Sequence, residues 1–334
     1  MKKNTSEKYI SKRSRPLNFE DKDHLLFSKE LLRTIPNTYY LFDKNVFVND
    51  HNLYKYKYLN KYIPETKMDI ENSNFLKNSV KKLIRNSNKT SVNIIDKASW
   101  VIDDKSFNYF HWMTDVLSRI ALIPPGLLND YPIMIPIDFL KKPFIKDSLN
   151  LLGIHYVTYQ ENKEYKINQL LITSHVAPAG NFNKHFIIKV KDQLLEAIET
   201  KTNPSRRVWL SRKNQQRRTL VNEDEIFGIL ENFNFEIILP EDLSLTEQLS
   251  IFSETSFIAG THGAALTNAM FMKPKSSILE VRASNDSHRN PFFTLSSEFD
   301  LKYYYLLADP KINSLESDLY LNPEKLNNVL LSIL

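Results

Sequence analysis

In the stretch SFIAGTHGAALTNAMFMKPKSSILEV, Ser256 to Val281, an apolar strand is followed by an apolar helical segment and then by a second strand. We predict the strands at 256–260 and 276–281 and the helix at 263–272. Strand, helix and strand in succession form the unit from which mostly parallel sheets are built. The stretch therefore predicts an α/β fold.

The same alternation extends in both directions from this stretch. Downstream of residue 205 the predicted elements are RVWLS, NEDEIFGILENF, FEIIL and LTEQLSIFSET, and upstream they are VNIID, WVID, NYFHWMTDVLSRIALI, YPIMIPI, FIKDSLNLLGI, NQLLITS and HFIIKVKDQLLEAIETK. Each half is typical of a doubly wound, Rossmann-like domain. We therefore expect two such domains facing a central cleft, where the carboxyl ends of both sheets bind ligands.

Domain limits follow from length and polarity. A chain of 334 residues is long enough for about two domains. The polar break TNPS, Thr202 to Ser205, separates a first domain at 31–203, which begins with a β lead-in, from a second domain at 204–334. Residues 1–30 are predicted to form a basic N-terminal arm. A polar helix and linker are predicted at 69–91.

The charge distribution bears on partners. Six basic residues and one acidic residue lie in residues 1–15, and this surplus equals the whole net charge of +5. Because the rest of the chain is neutral, we expect no nucleic-acid partner. The arm is predicted to be a solvated tail or a tether to anionic lipid. Without a cysteine, an apolar leader or a membrane-span pattern, the expected location is the cytoplasm, with peripheral contact at the inner face of its membrane.

The turn between the first strand and the helix is unusually rich in glycine for this chain. Gly260 and Gly263, two of only 6 glycines, flank Thr261 and His262. Glycine lets backbone approach a ligand closely, and a helix N-terminus attracts anions. The spacing does not match the dinucleotide or P-loop motifs. We interpret the turn as a phosphate site with His262 as a donor, or else as a tight turn with an incidental histidine.

Two further groups of residues suit the chemistry of a site. In NYFHWMTDVLSRI, helical spacing places Asn108, His111, Asp115 and Arg119 on one polar face, with His111 one turn from Asp115. That pair suits a general base or two metal ligands, and the alternative is a solvated face. In RRVWLSRKNQQRRT, Arg212 and Lys213 directly follow a strand, where cations suit phosphate. Arg217 and Arg218 are more typical of a basic loop.

These three stretches, in this order, resemble glycosyltransferase family 61. NYFHWMTD is similar to the family's Asn-Tyr-Phe/Tyr-His-Trp-x-x-Asp block, WLSRK to its Ser-Arg block, and GTHGAALTNAMFMKPKSSILEV to its His-Gly-Ala-Gly-Leu-Thr-Asn stretch, which leads to a strand with glutamate. The resemblance runs from about residue 39 to residue 307. Ala265 stands where the family usually has glycine, and Lys275 where Pro-Gly is common.

The resemblance implies a GT-B fold and inverting transfer of a hexosyl, pentosyl or N-acetylhexosaminyl group from a nucleotide sugar, with a UDP-sugar expected, in bacterial capsule or lipopolysaccharide synthesis. It implies acceptor binding by the first domain and donor binding by the second. The acceptor would be an oligosaccharide or a lipid-linked saccharide. The resemblance names Asp115 and His111 as catalytic, and as nucleotide-sugar-binding the residues Arg212, Lys213, His262, Gly263, Ala264, Thr267, Asn268 and Glu280, with Glu280 on the ribose hydroxyls.

We expect no cofactor and no metal requirement. Cationic side chains and a helix N-terminus stabilise a leaving diphosphate without metal, and the one Asp-x-Asp triplet, Asp21-Lys22-Asp23, lies outside both predicted domains. Two alternatives remain open. One is a noncatalytic nucleotide-sugar-binding subunit of a polysaccharide assembly complex, which would not need His111 and Asp115. The other is a GT-B-like epimerase, which would act without an acceptor.

Overall fold

The computed structural model describes residues 2–49, 51–55, 92–199, 203–286 and 290–334. The strands are β1 Lys2–Ser6, β2 Tyr9–Lys12, β3 Leu32–Ile35, β4 Thr38–Asn49, β5 Asn52–Tyr54, β6 Asn93–Trp100, β7 Ile133–Pro136, β8 Tyr156–Tyr159, β9 Tyr165–Thr173, β10 Arg206–Leu210, β11 Phe235–Ile238, β12 Thr255–Thr261, β13 Ser277–Ala283, β14 Lys302–Pro310 and β15 Leu319–Tyr320. Strands and helices alternate along most of this length, so the predicted α/β class is confirmed.

The α-helices are α1 His24–Phe27, α2 Tyr109–His111, α3 Leu117–Leu122, α4 Pro125–Asp130, α5 Pro143–Leu151, α6 Lys184–Glu196, α7 Glu223–Asn232, α8 Leu245–Ser253, α9 Pro291–Glu298 and α10 Pro323–Ile333. A π-helical turn and several 3₁₀ segments complete the helical elements: Trp112–Val116 is π-helical, and Asp21–Asp23, Ser28–Glu30, Ile137–Lys141, Pro240–Asp242 and Ala264–Phe271 are 3₁₀. The helix and linker predicted at 69–91, and Thr202 of the predicted boundary, lie outside the described residues.

The chain divides into two compact units whose sequence ranges interleave. The first consists of Met1–Tyr9, Ile35–Ala179 and His185–Val190, and the second of Ile10–Thr34, Gly180–Lys184 and Lys191–Leu334. This division differs from the predicted boundary between residues 203 and 204. Helix α6, predicted as the last element of the first domain, contributes residues to both units.

The first unit contains a mixed sheet in the order β1-β4-β9-β6-β7-β8, with β5 also on β4. Strands β9, β6, β7 and β8 pair in parallel, whereas β4 is antiparallel to each of its neighbours. In β6 and β9, Trp100 lies opposite Ile172. The carboxyl ends of these two strands therefore meet at one edge of the sheet, where polar residues can be brought together.

The second unit contains a sheet in the order β11-β10-β12-β13-β14-β15, parallel except for β15. Numbered along the chain, its five parallel strands lie in the order 2-1-3-4-5. The chain leaves β10 toward β11 on one side and leaves β12 toward β13 on the other. This reversal creates a crevice at the carboxyl ends of β10 and β12, the usual ligand position in open α/β sheets.

Burial explains why the central strands of this unit are so apolar. Every residue of β12 and β13 except Ser256 and Ser277 is buried, as expected for parallel strands covered on both faces. Helices α7 and α10 contribute leucines and isoleucine to the same core as β10, β12 and β13: Trp209, Ile226, Leu230, Phe257, Leu279, Leu326 and Leu330. The core holds the ends of β10 and β12 in place. Arg212 and Lys213 follow the end of β10, and His262 and Gly263 follow the end of β12.

The predicted solvated arm at 1–30 is wrong for the residues that the structure describes. Strand β1 pairs with β4, and β2 pairs with β3. Arg13 is buried, and its guanidinium lies 3.2 Å from the carboxylate of Glu298. Ser11 donates to the same carboxylate at 3.2 Å. The basic composition of residues 1–15 does not indicate this contact, because Glu298 lies far away in sequence. No helix in the described ranges is long and apolar enough to cross a bilayer.

We expect Arg13→Met to lower the free energy of unfolding by about 3 kcal/mol, since it leaves the buried Glu298 carboxylate without its cation. The matched control is Arg15→Met. Arg15 is 53% exposed and faces the fully accessible Asp21, so its loss should cost close to nothing. Denaturant unfolding of the full chain measures both values. Equal losses for the two variants would contradict the assignment of Arg13 as a buried anchor.

Candidate functional site

The segment after β6 forms a helix interrupted by a π-helical turn. Asn108 caps it by accepting a hydrogen bond from the backbone N–H of Phe110 at 2.9 Å. The N–H of Leu117 bonds to the carbonyl of Trp112, five residues back, and the hydroxyl of Thr114 donates to the carbonyl of Phe110 at 2.8 Å. Single π-helical turns of this kind occur frequently at functional sites.

His111 and Asp115 form a hydrogen-bonded pair at this turn. The distance from Nδ1 of His111 to Oδ2 of Asp115 is 2.7 Å, which confirms the predicted contact. The side chains keep 22% and 12% exposure, so a ligand can reach them. Burial raises the pKa of Asp115 and outweighs the opposing hydrogen bond from His111, with the charge of Asp103 acting in the same direction as burial. A carboxylate of raised basicity beside an imidazole is suited to accept a proton.

The predicted polar face does not extend along the whole helix. Asn108 is used as the cap, and Arg119 is buried, donating to the hydroxyl and the carbonyl of Thr173, both at 2.9 Å. The prediction assumed a regular α-helix. Residues 112–116 instead form a π-helical turn, so the α-helical spacing on which the predicted face depends does not hold across it.

Asp103 is a buried acid of this region that sequence reasoning missed. It follows β6 and accepts hydrogen bonds from the N–H of Lys105 and the hydroxyl of Ser106, both at 2.9 Å. Burial would raise its pKa, but the charges of Arg119 and His175 and these hydrogen bonds lower it overall. Its position at the carboxyl end of a strand was the available sequence signal. Its electrostatic effect reaches the site through the pKa of Asp115.

In the second unit, Arg212 and Gly263 lie at the crevice between β10 and β12. A Cβ on Gly263 would overlap the Nη1 atom of Arg212. The backbone of Gly263 is extended, so the glycine supplies space rather than an unusual conformation. Its neighbour Gly260 packs against Leu210 of the adjacent strand, which a Cβ would meet at 3.0 Å. The two glycines thus make room for an arginine and for close strand packing, and their role in the close approach of a ligand stays a prediction.

The guanidinium of Arg212 makes a hydrogen bond through one of its nitrogens and none through another. Nη2 donates to the carbonyl of Arg217 at 3.0 Å, whereas the buried Nε has no hydrogen-bond partner among the described residues. Burial and the nearby charge of Arg218 lower the pKa of Arg212 to about 10, so it remains a cation at neutral pH. A half-buried, partly unsatisfied cation at a crevice favours an anionic ligand.

His262 and Glu280 form a second histidine–carboxylate pair. Nδ1 of His262 hydrogen-bonds Oε1 of Glu280, and the hydroxyl of Tyr303 donates to Oε2 at 2.5 Å. Burial would raise the pKa of Glu280, but the charge and hydrogen bond of His262, with Arg282 and Tyr303, lower it overall. Strand β13 continues to Ala283, so Glu280 lies inside it and is fully buried. This position does not fit the ribose contact predicted for a strand end.

The remaining predicted donor residues lie in different surroundings. The segment predicted as an α-helix is the 3₁₀ helix Ala264–Phe271, and Ala264 is partly exposed at its start. Thr267 and Asn268 are fully buried, and Asn268 donates to Gln248 at 3.0 Å. Lys213 is 63% exposed, with its ammonium 3.5 Å from Asp224. The structure thus brings Arg212, His262, Gly263 and Ala264 to one turn and leaves Lys213 at the surface.

The part of the chain that the structure describes contains no group of three or more histidine, aspartate or glutamate side chains arranged to hold a metal ion. His111 and Asp115 together could supply only two ligands to a metal ion. The predicted absence of a metal requirement therefore stays a prediction. The groups that the site does offer to an anion are the Arg212 guanidinium and the His262 imidazole.

Known proteins resemble the chain over the region that holds these residues. Residues 109–279 match the family described as Glycosyltransferase 61, a range that contains Asp115, Arg212 and Gly263 and covers half of the chain. A stretch of 81 residues is 35% identical to the EGF domain-specific O-linked N-acetylglucosamine transferase of Drosophila melanogaster. That stretch covers 23% of this chain and only 15% of that protein.

Proposed function

The chain belongs to glycosyltransferase family 61, and we propose that it transfers a sugar from a nucleotide-sugar donor to a saccharide acceptor. The observation that carries the proposal is the Arg212 guanidinium, which is half-buried over Gly263 at the crevice between β10 and β12. A nucleotide diphosphate carries the negative charge that such a position favours.

The donor side of the proposed reaction rests on charge. When the glycosidic bond to the diphosphate breaks, negative charge develops on the leaving phosphate oxygens. Arg212, His262 and the first N–H groups of the helix at Ala264 are fixed donors that would stabilise this charge. We propose a UDP-sugar as donor, two Rossmann-like domains of the GT-B type, and an inverting reaction. The parallel 2-1-3-4-5 sheet of the second unit supports the donor-binding domain.

The acceptor side rests on the pair His111–Asp115. In an inverting transfer the acceptor hydroxyl attacks directly as the diphosphate leaves, and its proton passes to a base. We propose Asp115 as that base, with His111 orienting the carboxylate through the 2.7 Å hydrogen bond. The proton of the hydroxyl ends on Asp115, the new bond joins the acceptor oxygen to the sugar, and the nucleoside diphosphate leaves.

We expect catalysis to persist unchanged in excess EDTA. The reason is that the Arg212 guanidinium supplies the positive charge that other transferases take from a divalent cation. Initial rates with and without EDTA, and with added Mn²⁺, measure this. Complete loss of activity that Mn²⁺ restores would contradict the prediction and make His111 and Asp115 the first metal-ligand candidates.

The function itself is tested in two steps. A thermal-shift screen against UDP, GDP, CMP and dTDP and their sugars identifies the donor, since a ligand that binds only the folded state raises the melting temperature. The stabilising nucleotide sugar is then incubated with saccharide acceptors, and products are separated by chromatography. Nucleotide release with a new glycoside supports transfer. Binding without release favours the noncatalytic subunit, and a changed nucleotide sugar without acceptor favours the epimerase.

The biological setting is proposed more broadly. We propose an oligosaccharide or lipid-linked acceptor, a role in the synthesis of bacterial surface polysaccharide, and a cytoplasmic location. The Drosophila relative, an EGF domain-specific O-linked N-acetylglucosamine transferase, adds no support for the bacterial role. Membrane contact through residues 1–15, if made, would use the exposed lysines of β1 and β2 rather than a free tail.

A further inference from the structure

We propose that Glu280 and Tyr303 are positioning residues that fix the imidazole of His262, so that its Nε2 atom is the one presented to the donor diphosphate. This inference rests on the proposed function for the identity of the ligand. It replaces the ribose contact predicted for Glu280 with a role exerted through His262, and it adds Tyr303 to the machinery of the site.

The contacts around His262 hold its ring in a defined orientation. Its backbone N–H donates to the carbonyl of Val281 at 2.8 Å, and Nδ1 hydrogen-bonds Glu280. The ring of Phe292 packs edge-on against the imidazole, with 5.2 Å between ring centroids. Backbone, carboxylate and aromatic ring together leave the imidazole little freedom. Its rotamer is therefore set by the fold before a ligand arrives.

Both oxygens of Glu280 are engaged, and each is engaged by a donor. Tyr303 donates to Oε2, and burial together with the charge of Glu280 raises the pKa of Tyr303, so the phenol keeps its proton. Glu280 itself has no exposed surface, whereas the side chain of His262 keeps 11%. The imidazole is thus the end of this chain of hydrogen bonds that a ligand can reach. A ribose hydroxyl would have to displace His262 or Tyr303 to bond Glu280.

The carboxylate of Glu280 determines which ring nitrogen of His262 carries a proton. Because its lowered pKa keeps Glu280 ionised, its carboxylate only accepts hydrogen bonds. The proton shared with His262 therefore belongs to Nδ1. Nε2, which has no hydrogen-bond partner among the described residues, donates to a phosphate oxygen when it carries the second ring proton, as in an imidazolium. A carboxylate that fixes Nδ1–H and thereby orients Nε2 toward chemistry is a recurrent arrangement in active and metal sites.

A first experiment tests the arrangement without any ligand. Long-range ¹H–¹⁵N NMR spectra of the full chain distinguish protonated from unprotonated ring nitrogens, and His262→Asn identifies the signals of His262. We expect Nδ1 to be protonated, whether or not Nε2 also carries a proton. An unprotonated Nδ1 with a proton on Nε2 would overturn the proposal.

A second experiment is a double-mutant cycle on nucleotide affinity, measured by calorimetry with UDP, or with the diphosphate that the screen selects. We expect Glu280→Gln to weaken binding by about tenfold in the wild-type background and by less than about twofold in His262→Asn. The same loss in both backgrounds would overturn the proposal. A direct contact between Glu280 and the ribose predicts an equal loss of affinity in both backgrounds. It also predicts that Glu280→Gln has little effect on the affinity for the 2′-deoxy nucleotide.

Tyr303→Phe supplies a variant that is milder for folding. It removes the donor to Oε2 and should weaken diphosphate binding several-fold. The matched control is Tyr305→Phe on the same strand, because its hydroxyl donates to Asp23 at 2.5 Å and not to Glu280. Equal affinities for the two variants would overturn the role of Tyr303. If the wild-type chain binds no nucleoside diphosphate, the proposed function fails, and the NMR experiment still decides how His262 is held.

Discussion

Asp115→Asn is expected to reduce turnover by about 10² to 10⁴ while donor affinity stays near that of the wild type. Asparagine keeps the shape of the side chain and can still accept the hydrogen bond of His111, but it cannot take a proton from the acceptor. Single-turnover rates and calorimetric donor affinity separate the two effects. Asp138→Asn is the matched control, since its carboxylate is exposed and pairs with Lys141 at the surface.

The pKa of Asp115 sharpens this prediction. Because burial raises it above the ordinary value of 3.8, the acid limb of kcat should lie at higher pH than an ordinary carboxylate gives, and it should disappear in the variant. A raised pKa also means that folding favours protonated Asp115, a stabilisation present at low pH and lost as pH rises through that pKa. Asp115→Asn should therefore melt no lower than the wild type at neutral pH. Turnover at the wild-type rate would exclude Asp115 as the base and make His111 the next candidate, whereas an unfolded variant would assign the pair a structural role.

Arg212→Ala is expected to cost about 10² to 10³ in rate and to weaken nucleoside diphosphate binding, because it removes the half-buried cation at the crevice between β10 and β12. Arg217→Ala is the control. The side chain of Arg217 is 66% exposed, and the carbonyl that holds Arg212 is retained in the variant. Wild-type diphosphate affinity in Arg212→Ala would return the turn to a purely structural role.

Gly263→Ala tests the position of the Arg212 guanidinium without removing the arginine. The added Cβ would displace the Arg212 guanidinium, so we expect a loss of affinity that largely disappears in the Arg212→Ala background. Gly228→Ala, on helix α7 of the same unit, is the matched control, because nothing lies within 4 Å of its added Cβ. Additive losses at Gly263 and Arg212 would show that the glycine serves the ligand directly.

The sequence predicted the features that depend on residues close to one another along the chain. The pair His111–Asp115 follows from residues four apart on one helical segment. The alternating pattern also predicted the parallel strands of the second unit. Each of these depends on neighbours in sequence, which a pattern contains.

Other features depend on partners that no local pattern contains. The π-helical turn at 112–116 has no spacing signature, and Glu280 became an interior residue because β13 runs two residues beyond the predicted strand. The antiparallel addition of β4 and β1 to the first sheet, and the folding of the basic arm, are long-range pairings. Tertiary context decided them, and the composition of the arm alone suggested solvation.

The pairing of Arg13 with Glu298 has a consequence for the order of events during synthesis. These residues are separated by 285 positions, and the N–H of Leu17 likewise donates to the carbonyl of Tyr303. Residues 10–34 are synthesised well before the strand β14 and the helix α9 against which they pack. Contacts of such sequence separation form late and slow folding. In the nascent chain, residues 10–34 must therefore stay unpaired until residues 291–310 have been made, and they are exposed to chaperones and proteases during that interval.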